Sequence, residues 1–264
     1  MSISLELKKA VFRVAPSLSV VTAEMSSPLR RSEIQLVRTL GADAAAALDI
    51  GASWGLFTLV LAKAARRVDA FEPNPEKVSY LESLGLKNCQ VHGVALSDHV
   101  GEADLVFPRR KSAFATIEAA NPAHAALAAD TMRIAVPKRP LDSFGLNETA
   151  FIKIDVEGHE WSVLKGAENM LRGRKPVLYL EIEQRHNPAA FEEVFRFLQT
   201  IGYEAYYVSQ FKIGPISAFD VERDQIDDDD MNERMARGEY IYNFLFVPDA
   251  SALGKLAAAG FERV

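Results

Sequence analysis

The stretch "ALDIGASWGLFTLVLAKAARRVDAFEP", residues 47–73, constrains the fold more than any other part of the chain. A short apolar run meets a loop framed by Gly51 and Gly55, a helical segment follows, and a second apolar run ends at Glu72. Short apolar strands that alternate with helices pair in parallel, because a parallel crossover needs a long connection and a helix supplies it. The alternation continues downstream. Patterning predicts strands at 47–50, 68–71, 89–94, 151–154 and 177–182, and helices at 54–66, 75–84, 160–171 and 189–200. The last of these helices gathers Phe191, Val194, Phe195 and Leu198 on one face. A parallel sheet covered on both sides follows.

The two ends are less regular. Leu7, Val11 and Val14 fall at helical spacing, so a short amphipathic helix is expected at 4–14, followed by an irregular stretch at 15–31. Ser32 and Gln35 fit a capping box that opens a helix with an Ile34, Val37 and Leu40 stripe, ended by Gly41. Near the carboxyl end, strands at 206–208 and 240–247 flank a polar segment containing Asp227 to Asp230. Four consecutive acids repel one another, so 220–239 reads as a solvated loop or lid, and its spacing does not match an EF-hand. The expected organisation is an N-terminal helical extension at 1–31 and one domain at 32–264.

A formal charge of −6 argues against a general binder of nucleic acid or anionic membrane. Cys89 is the only cysteine, which excludes an intramolecular disulfide and a cysteine metal cluster, and it reads as a small buried hydrophobe. The N-terminus is mixed in charge and broken by Pro16, unlike a secretory signal, and no apolar run reaches membrane-spanning length. A cytoplasmic location is the expectation.

A glycine turn between strand and helix lets a ligand approach the backbone while helix N–H groups face its anionic end. The dinucleotide version needs G-x-G-x-x-G, but this chain has Ser53 and Leu56 where the second and third glycines belong. What remains is Asp49-x-Gly51-x-x-x-Gly55, with Glu72 closing the next strand, where a carboxylate accepts ribose hydroxyls. A wider loop without a pyrophosphate cradle suits a ribose carrying a zwitterionic amino-acid tail, which is S-adenosylmethionine (SAM).

Over about residues 32–248 the sequence resembles the FkbM-type SAM-dependent methyltransferases. The matching segments are "LDIGASWGLFTLVLA", "FEPNPEKVSYLE" with Asn88 following, "VALSDHVGEADL", "PLDSF", "IKIDVEGHEWSVLKGAENML", "PVLYLEIE" and "YNFLFVP". One departure is Ser53, where members commonly carry Asn. The resemblance implies an α/β fold with a doubly wound seven-strand sheet, its last strand (240–247) antiparallel. It places Asp49, Gly51, Ala52, Ser53, Trp54 and Gly55 against the methionine part of SAM, Glu72 and Pro73 at the ribose, and Ala95, Leu96, Ser97 and Asp98 beside the adenine.

SAM carries its own electrophile, so the protein positions an acceptor and manages one proton. The "IDVEGHE" segment supplies Asp155, Glu157 and His159 at the carboxyl end of the sheet, with Glu181 or Glu183 arriving from the neighbouring strand. His159 has the best intrinsic pKa for a base near neutrality, or is held structurally at the helix start. Asp155 reads as an orienter of cofactor or acceptor, and Glu157 as a helix-start charge or a cleft residue. Two carboxylates with His159 can also hold a divalent ion, a reading not favoured over the metal-free one. Trp54 leans towards the cleft, and Trp161 equally suits the core. The leading expectation is an O-methyltransferase acting on a hydroxyl of a sugar, glycan or secondary metabolite. A nicotinamide-dependent oxidoreductase and a non-catalytic SAM-binding subunit are the alternatives. Oligomeric state is not legible.

Overall fold

The computed structural model describes residues 15–108, 115–118, 121 and 131–264. The helix expected at 4–14 lies outside them. Six strands, β1 (Ala46–Ile50), β2 (Val68–Phe71), β3 (Cys89–His92), β4 (Ala95–Leu96), β5 (Gly101–Pro108) and β6 (Thr131–Arg139), precede the middle of the chain. Six more follow: β7 (Thr149–Ile154), β8 (Val177–Glu181), β9 (Glu204–Ser209), β10 (Lys212–Pro215), β11 (Asn243–Val247) and β12 (Glu262–Arg263). Among the described residues they form a nine-stranded sheet, β12-β10-β9-β11-β8-β7-β1-β2-β3, and a three-stranded sheet, β4-β6-β5. The expected seven strands run from β3 to β9, and β10 and β12 extend that edge. β11 is antiparallel to both β8 and β9, whereas β3, β2, β1, β7 and β8 are parallel.

Both faces of the sheet are buried, and side chains alternate between them with period two. Leu48, Ile50, Ile152, Ile154, Leu178, Leu180, Phe244 and Phe246 face one core, completed by Val163, Leu164, Phe191, Val194 and Leu198 from helices. Ala47, Phe151, Tyr179, Leu245 and Val247 face the other, under Ile34, Val37, Leu61 and Leu256. The alternation has a chemical consequence at the carboxyl ends of the strands. Asp49 pairs in register with Lys153 and Asn243 with Glu181, so the second face ends in polar groups rather than in apolar ones.

Several expectations are revised. The stretch at 15–31 is not irregular: helices span Pro16–Ser26 and Pro28–Gly41. Pro16, which reads as a breaker, and Pro28 occupy first helical turns, where a missing N–H costs nothing. The second helix is capped by Ser27, which accepts from the Arg30 N–H, and not by Ser32. Ser32 lies inside the helix with its hydroxyl donating to the Leu29 carbonyl. This helix runs through residue 31. The single helix expected at 160–171 is two, Glu160–Lys165 and Glu168–Gly173. Gly166 at the break is forced, since a Cβ there would lie 2.0 Å from the Ser97 carbonyl oxygen. The acidic segment holds short helices at Val221–Asp224 and Met231–Arg237, with Asp227 to Asp230 exposed or nearly so between them. The hairpin of β5 with β6 is an element the sequence patterning did not reveal. No helix among the described residues is long and apolar enough to cross a membrane.

The helix Pro28–Gly41 is fastened to the sheet by a buried carboxylate. Glu33, 4% exposed, accepts from Asn243 Nδ2 at 2.8 Å and from the Tyr242 hydroxyl at 3.3 Å. Its other oxygen faces the Arg30 guanidinium at 2.8 Å. Removing one member of a buried pair costs about 3–5 kcal/mol because the rest are stranded. Arg30 is 40% exposed and can rehydrate, so Glu33→Ala is expected to lose about 2–3 kcal/mol. Urea unfolding monitored by circular dichroism checks it. A midpoint unchanged from the parent protein would show that the helix is held by its apolar stripe alone.

Candidate functional site

The parallel strand order reverses between β1 and β7, and the loops after their carboxyl ends diverge there, which is where open α/β sheets bind ligands. A cavity of about 380 Å³ opens at this point, within the roughly 300–1,000 Å³ range of small-molecule sites.

The loop after β1 forms the first wall. Gly51 adopts φ +78°, and a Cβ there would stand 1.8 Å from the Asp155 carbonyl oxygen, so no other residue fits between β1 and β7. The Gly51 and Ala52 N–H groups both donate to the Phe71 carbonyl. Gly55, also at φ +78°, caps the helix Leu56–Ala64. Between them Ser53 is held at φ +50°, a left-handed conformation that Asn tolerates better than Ser. Glu72, at the end of β2, is buried and accepts from the Ser53 N–H at 2.8 Å and the Asn74 N–H at 2.9 Å. Desolvation pushes its pKa up against the opposing charge of Lys77. Each carboxylate oxygen keeps a further lone pair for a ligand hydroxyl. Ala52, Ser53, Trp54, Glu72 and Pro73 line the cavity, and Trp54 packs edge-on against Tyr80 at 5.4 Å.

Asp49, by contrast, does not line it. Its Oδ2 accepts from the Thr58 hydroxyl at 2.6 Å, while Oδ1 is buried without a hydrogen-bond partner. Burial drives its pKa up against the nearby Lys153. Asp49 supports the loop from beneath.

The opposite wall combines Ala95 and Leu96 of β4 with Leu105, Ala115, Thr116 and Ile117 from the hairpin insert. Ser97 and Asp98 lie behind this wall. Ser97 is 1% exposed, with its hydroxyl 3.0 Å from His159 Nε2. Asp98 turns outward to Lys165 at 2.6 Å and His99 at 2.7 Å, and the Lys165 hydrogen bond holds its pKa far below the usual carboxylate range.

The floor is the segment after β7. Asp155 accepts from Lys153 Nζ at 2.9 Å. Glu157 sits at φ +53° and Gly158 at φ +99°, a tight turn whose carbonyls are held by Asn121 on Glu157 and Asn187 on Gly158. The Glu160 carboxylate reaches back to the N–H groups of Gly158 and Val156, at 3.0 and 3.4 Å. Burial raises its pKa to about 7 despite those donors. His159 places Nδ1 3.0 Å from Glu118 Oε2, so both ring nitrogens have protein partners.

Asp155, Glu157, His159 and Glu181 all line the cavity. Desolvation raises the pKa of both Glu157 and Glu181 well above the ordinary value, with Asp155 the next contributor in each case. Trp161 does not line it and packs against Phe197 at 5.4 Å. Among the described residues no three His, Cys, Asp or Glu side chains converge as a metal-binding group.

Three lining cations, Lys77, Lys153 and Arg30, escaped the sequence reading. Lys153 is 4% exposed, and although burial alone lowers its pKa, the charges of Asp155 and Asp49 outweigh this and raise it. Arg30 reaches the cavity from the helix Pro28–Gly41. Lys153 and Arg30 both lie over the Phe57 ring, 4.9 and 5.7 Å from its centroid. A lysine inside an apolar strand run, two residues before Asp155, was the one available signal for Lys153, since buried lysines require partners.

The site suits SAM in its donor set: a carboxylate beside a strand–helix glycine loop, and an acidic floor for a cationic group. In fold, the chain is similar to the methyltransferase FkbM from Methylobacillus flagellatus KT, at 18% identity over 78% of this chain and 44% of that one, with a TM-score of 0.49. It thus spans less than half of that protein's length. An rRNA methylase from Streptococcus thermophilus matches at 14% identity over 84% of this chain and 95% of that one, with a TM-score of 0.45. The fibrillarin of Aeropyrum pernix, in complex with natively bound S-adenosyl-L-methionine, matches at 11% identity over 79% and 68%, with a TM-score of 0.42. No curated protein matches the sequence. Residues 49–205, more than half of the chain, match the family described as the Methyltransferase FkbM domain. The chain therefore belongs to the FkbM methyltransferase family.

Proposed function

We propose that the protein is a SAM-dependent O-methyltransferase whose acceptor is a hydroxyl of a sugar, glycan or secondary metabolite. The observation that carries this reading is one cavity that joins Glu72 and the glycine loop to the carboxylates of Glu157 and Glu181. SAM supplies an electrophilic methyl group when bound. Glu72 would accept the ribose hydroxyls, the backbone from Gly51 to Gly55 would face the methionine part, and Ala95 and Leu96 would cover the base. Asp155, neutralised by Lys153, would orient the amino-acid end or the acceptor. Asp49, Ser97 and Asp98 would act from behind these walls.

A neutral hydroxyl is a poor nucleophile, and a positioned base helps to remove its proton. Glu157 and Glu181 suit this step better than an ordinary carboxylate. Both face the cavity, and burial among other acids makes them stronger bases. His159, the other candidate, would have to release Ser97 or Glu118 before taking a proton. The nicotinamide alternative finds less support, because Ser53 stands in the cavity lining where a second glycine would admit a pyrophosphate.

Glu72→Gln is expected to weaken S-adenosylhomocysteine binding by tenfold or more, since a charge-assisted hydrogen bond contributes about 1.5–3 kcal/mol. Calorimetry measures this, and affinity equal to that of the parent protein would remove Glu72 from the site. NAD, titrated in parallel, is expected not to bind comparably. Binding of NAD without any binding of SAM would end the methyltransferase reading.

The base must be ionised to act, and its raised pKa means that activity disappears as pH falls through a value above the ordinary carboxylate range. With an acceptor identified by labelled methyl transfer, kcat is expected to fall on the acid side, with the limb displaced upward from the ordinary carboxylate range. Glu157→Gln or Glu181→Gln is expected to reduce kcat by roughly 10²–10⁴-fold and to abolish that limb. If both variants keep their turnover and their acid limb, neither glutamate is the base.

A further inference from the structure

The side chains of Glu118, His159 and Ser97 form a continuous hydrogen-bonded line between three segments remote in sequence. Glu118 Oε2 lies 3.0 Å from His159 Nδ1, and His159 Nε2 lies 3.0 Å from Ser97 Oγ. An ionised carboxylate only accepts, so the proton of a neutral ring belongs on Nδ1. Nε2 is then an acceptor, and the Ser97 hydroxyl, whose other acceptor Asp98 Oδ1 lies farther away at 3.3 Å, is its donor at 3.0 Å. This is the less common tautomer of free histidine, and its selection needs an acceptor oxygen in the place Glu118 occupies.

Ser97 is fixed from a second side. Its carbonyl oxygen rests against Gly166, where a Cβ would approach to 2.0 Å. Its own N–H donates to the Arg139 carbonyl of β6 at 3.1 Å. Immediately before it stand Ala95 and Leu96, which line the cavity. Glu118 likewise follows the lining residues Thr116 and Ile117, and Thr116 is bridged to Val106 of β5. The line therefore connects both parts of the insert-side wall to His159, the residue that precedes and caps the helix Glu160–Lys165.

We propose that Glu118 is a positioning residue: by accepting the Nδ1 proton of His159 it directs Nε2 to Ser97, and the three side chains form a strut that sets the spacing of the Ala95–Leu96 wall for a bound adenosyl group. The functional part rests on the SAM reading above. In this role the basic nitrogen of His159 is spent on Ser97, and His159 holds the wall rather than moving the acceptor's proton.

The first test needs no ligand. Nitrogen-15 NMR of the full chain reports the tautomer of His159, with its signals assigned by their loss in His159→Gln. The expected result is a proton on Nδ1 in the parent protein, a majority on Nε2 in Glu118→Ala, and a return to Nδ1 in Glu118→Gln, whose amide oxygen still accepts. A parent protein with the proton on Nε2 overturns the proposal. The second test is calorimetry with S-adenosylhomocysteine. Glu118→Ala and Ser97→Ala are each expected to weaken binding about fivefold to tenfold, and the double variant no more than the worse single, since both break the same line. Losses that multiply, or no loss in either variant, overturn the strut. Absence of binding to the parent protein would instead sink the SAM reading, while the tautomer experiment still decides whether the hydrogen-bonded line exists.

Discussion

One buried ammonium makes the acidic floor of this site compatible with a folded protein. Lys153 stands on β7 at 4% exposure, bonded to Asp155 and facing Asp49 in the strand register. Glu181 contributes to the same field. Without this charge, three carboxylates would meet in a region poor in water, and burial would drive protons onto them. With it, Asp155 keeps an ion pair while the glutamates farther along the strand ends bear the desolvation. The placement follows from strand pleating, which puts Asp49, Lys153 and Asp155 on one face. Phe57 covers the ammonium with its ring, so the positive charge is shielded from solvent without being neutralised.

A second constraint is the crowding of backbone between β1 and β7. Gly51 lets the two strand ends touch, and Asp155 N–H donates to the Ile50 carbonyl at 3.0 Å. The glycine loop and the "IDVEGHE" turn are thereby one rigid unit. Each turn contains a non-glycine residue in left-handed conformation, Ser53 and Glu157, and side chains from elsewhere hold both in place. Such conformations cluster where a site is held against its own preference.

Much of this was legible from residues near one another in sequence. The alternation of strands and helices, the glycine loop, Glu72 and the acids after β7 all carry local signals, and the structure brings them to one cavity. The misses have a common physical origin. Pro16 reads as a breaker because proline punctuates helices at either end, and only the fold shows that it lies in a first turn, as Pro28 does. The hairpin of β5 and β6 pairs residues about thirty positions apart, beyond the reach of local periodicity. Glu118 and Arg30 have no neighbouring motif; their distance to the cavity is set by the paths of an insert and of a preceding helix. Several quoted motif residues prove to be architectural. Asn88 donates to the Ala62 and Ala65 carbonyls at the end of the first sheet helix, and Asp142 accepts from the Asn169 and Met170 N–H groups.

The reach of Arg30 bears on how members of this family are compared. The stretch that matches the family begins at residue 49, yet a wall of the cavity is built by a helix that starts at Pro28 and is anchored through Glu33 to a strand beginning at Asn243. Both anchoring elements lie beyond the matched segment, one on each side. The smallest piece of chain that contains the whole binding surface is therefore longer than the piece by which kinship is recognised. Two relatives can agree throughout the shared segment and still present different charge to the same ligand, because that difference is written in the flanks.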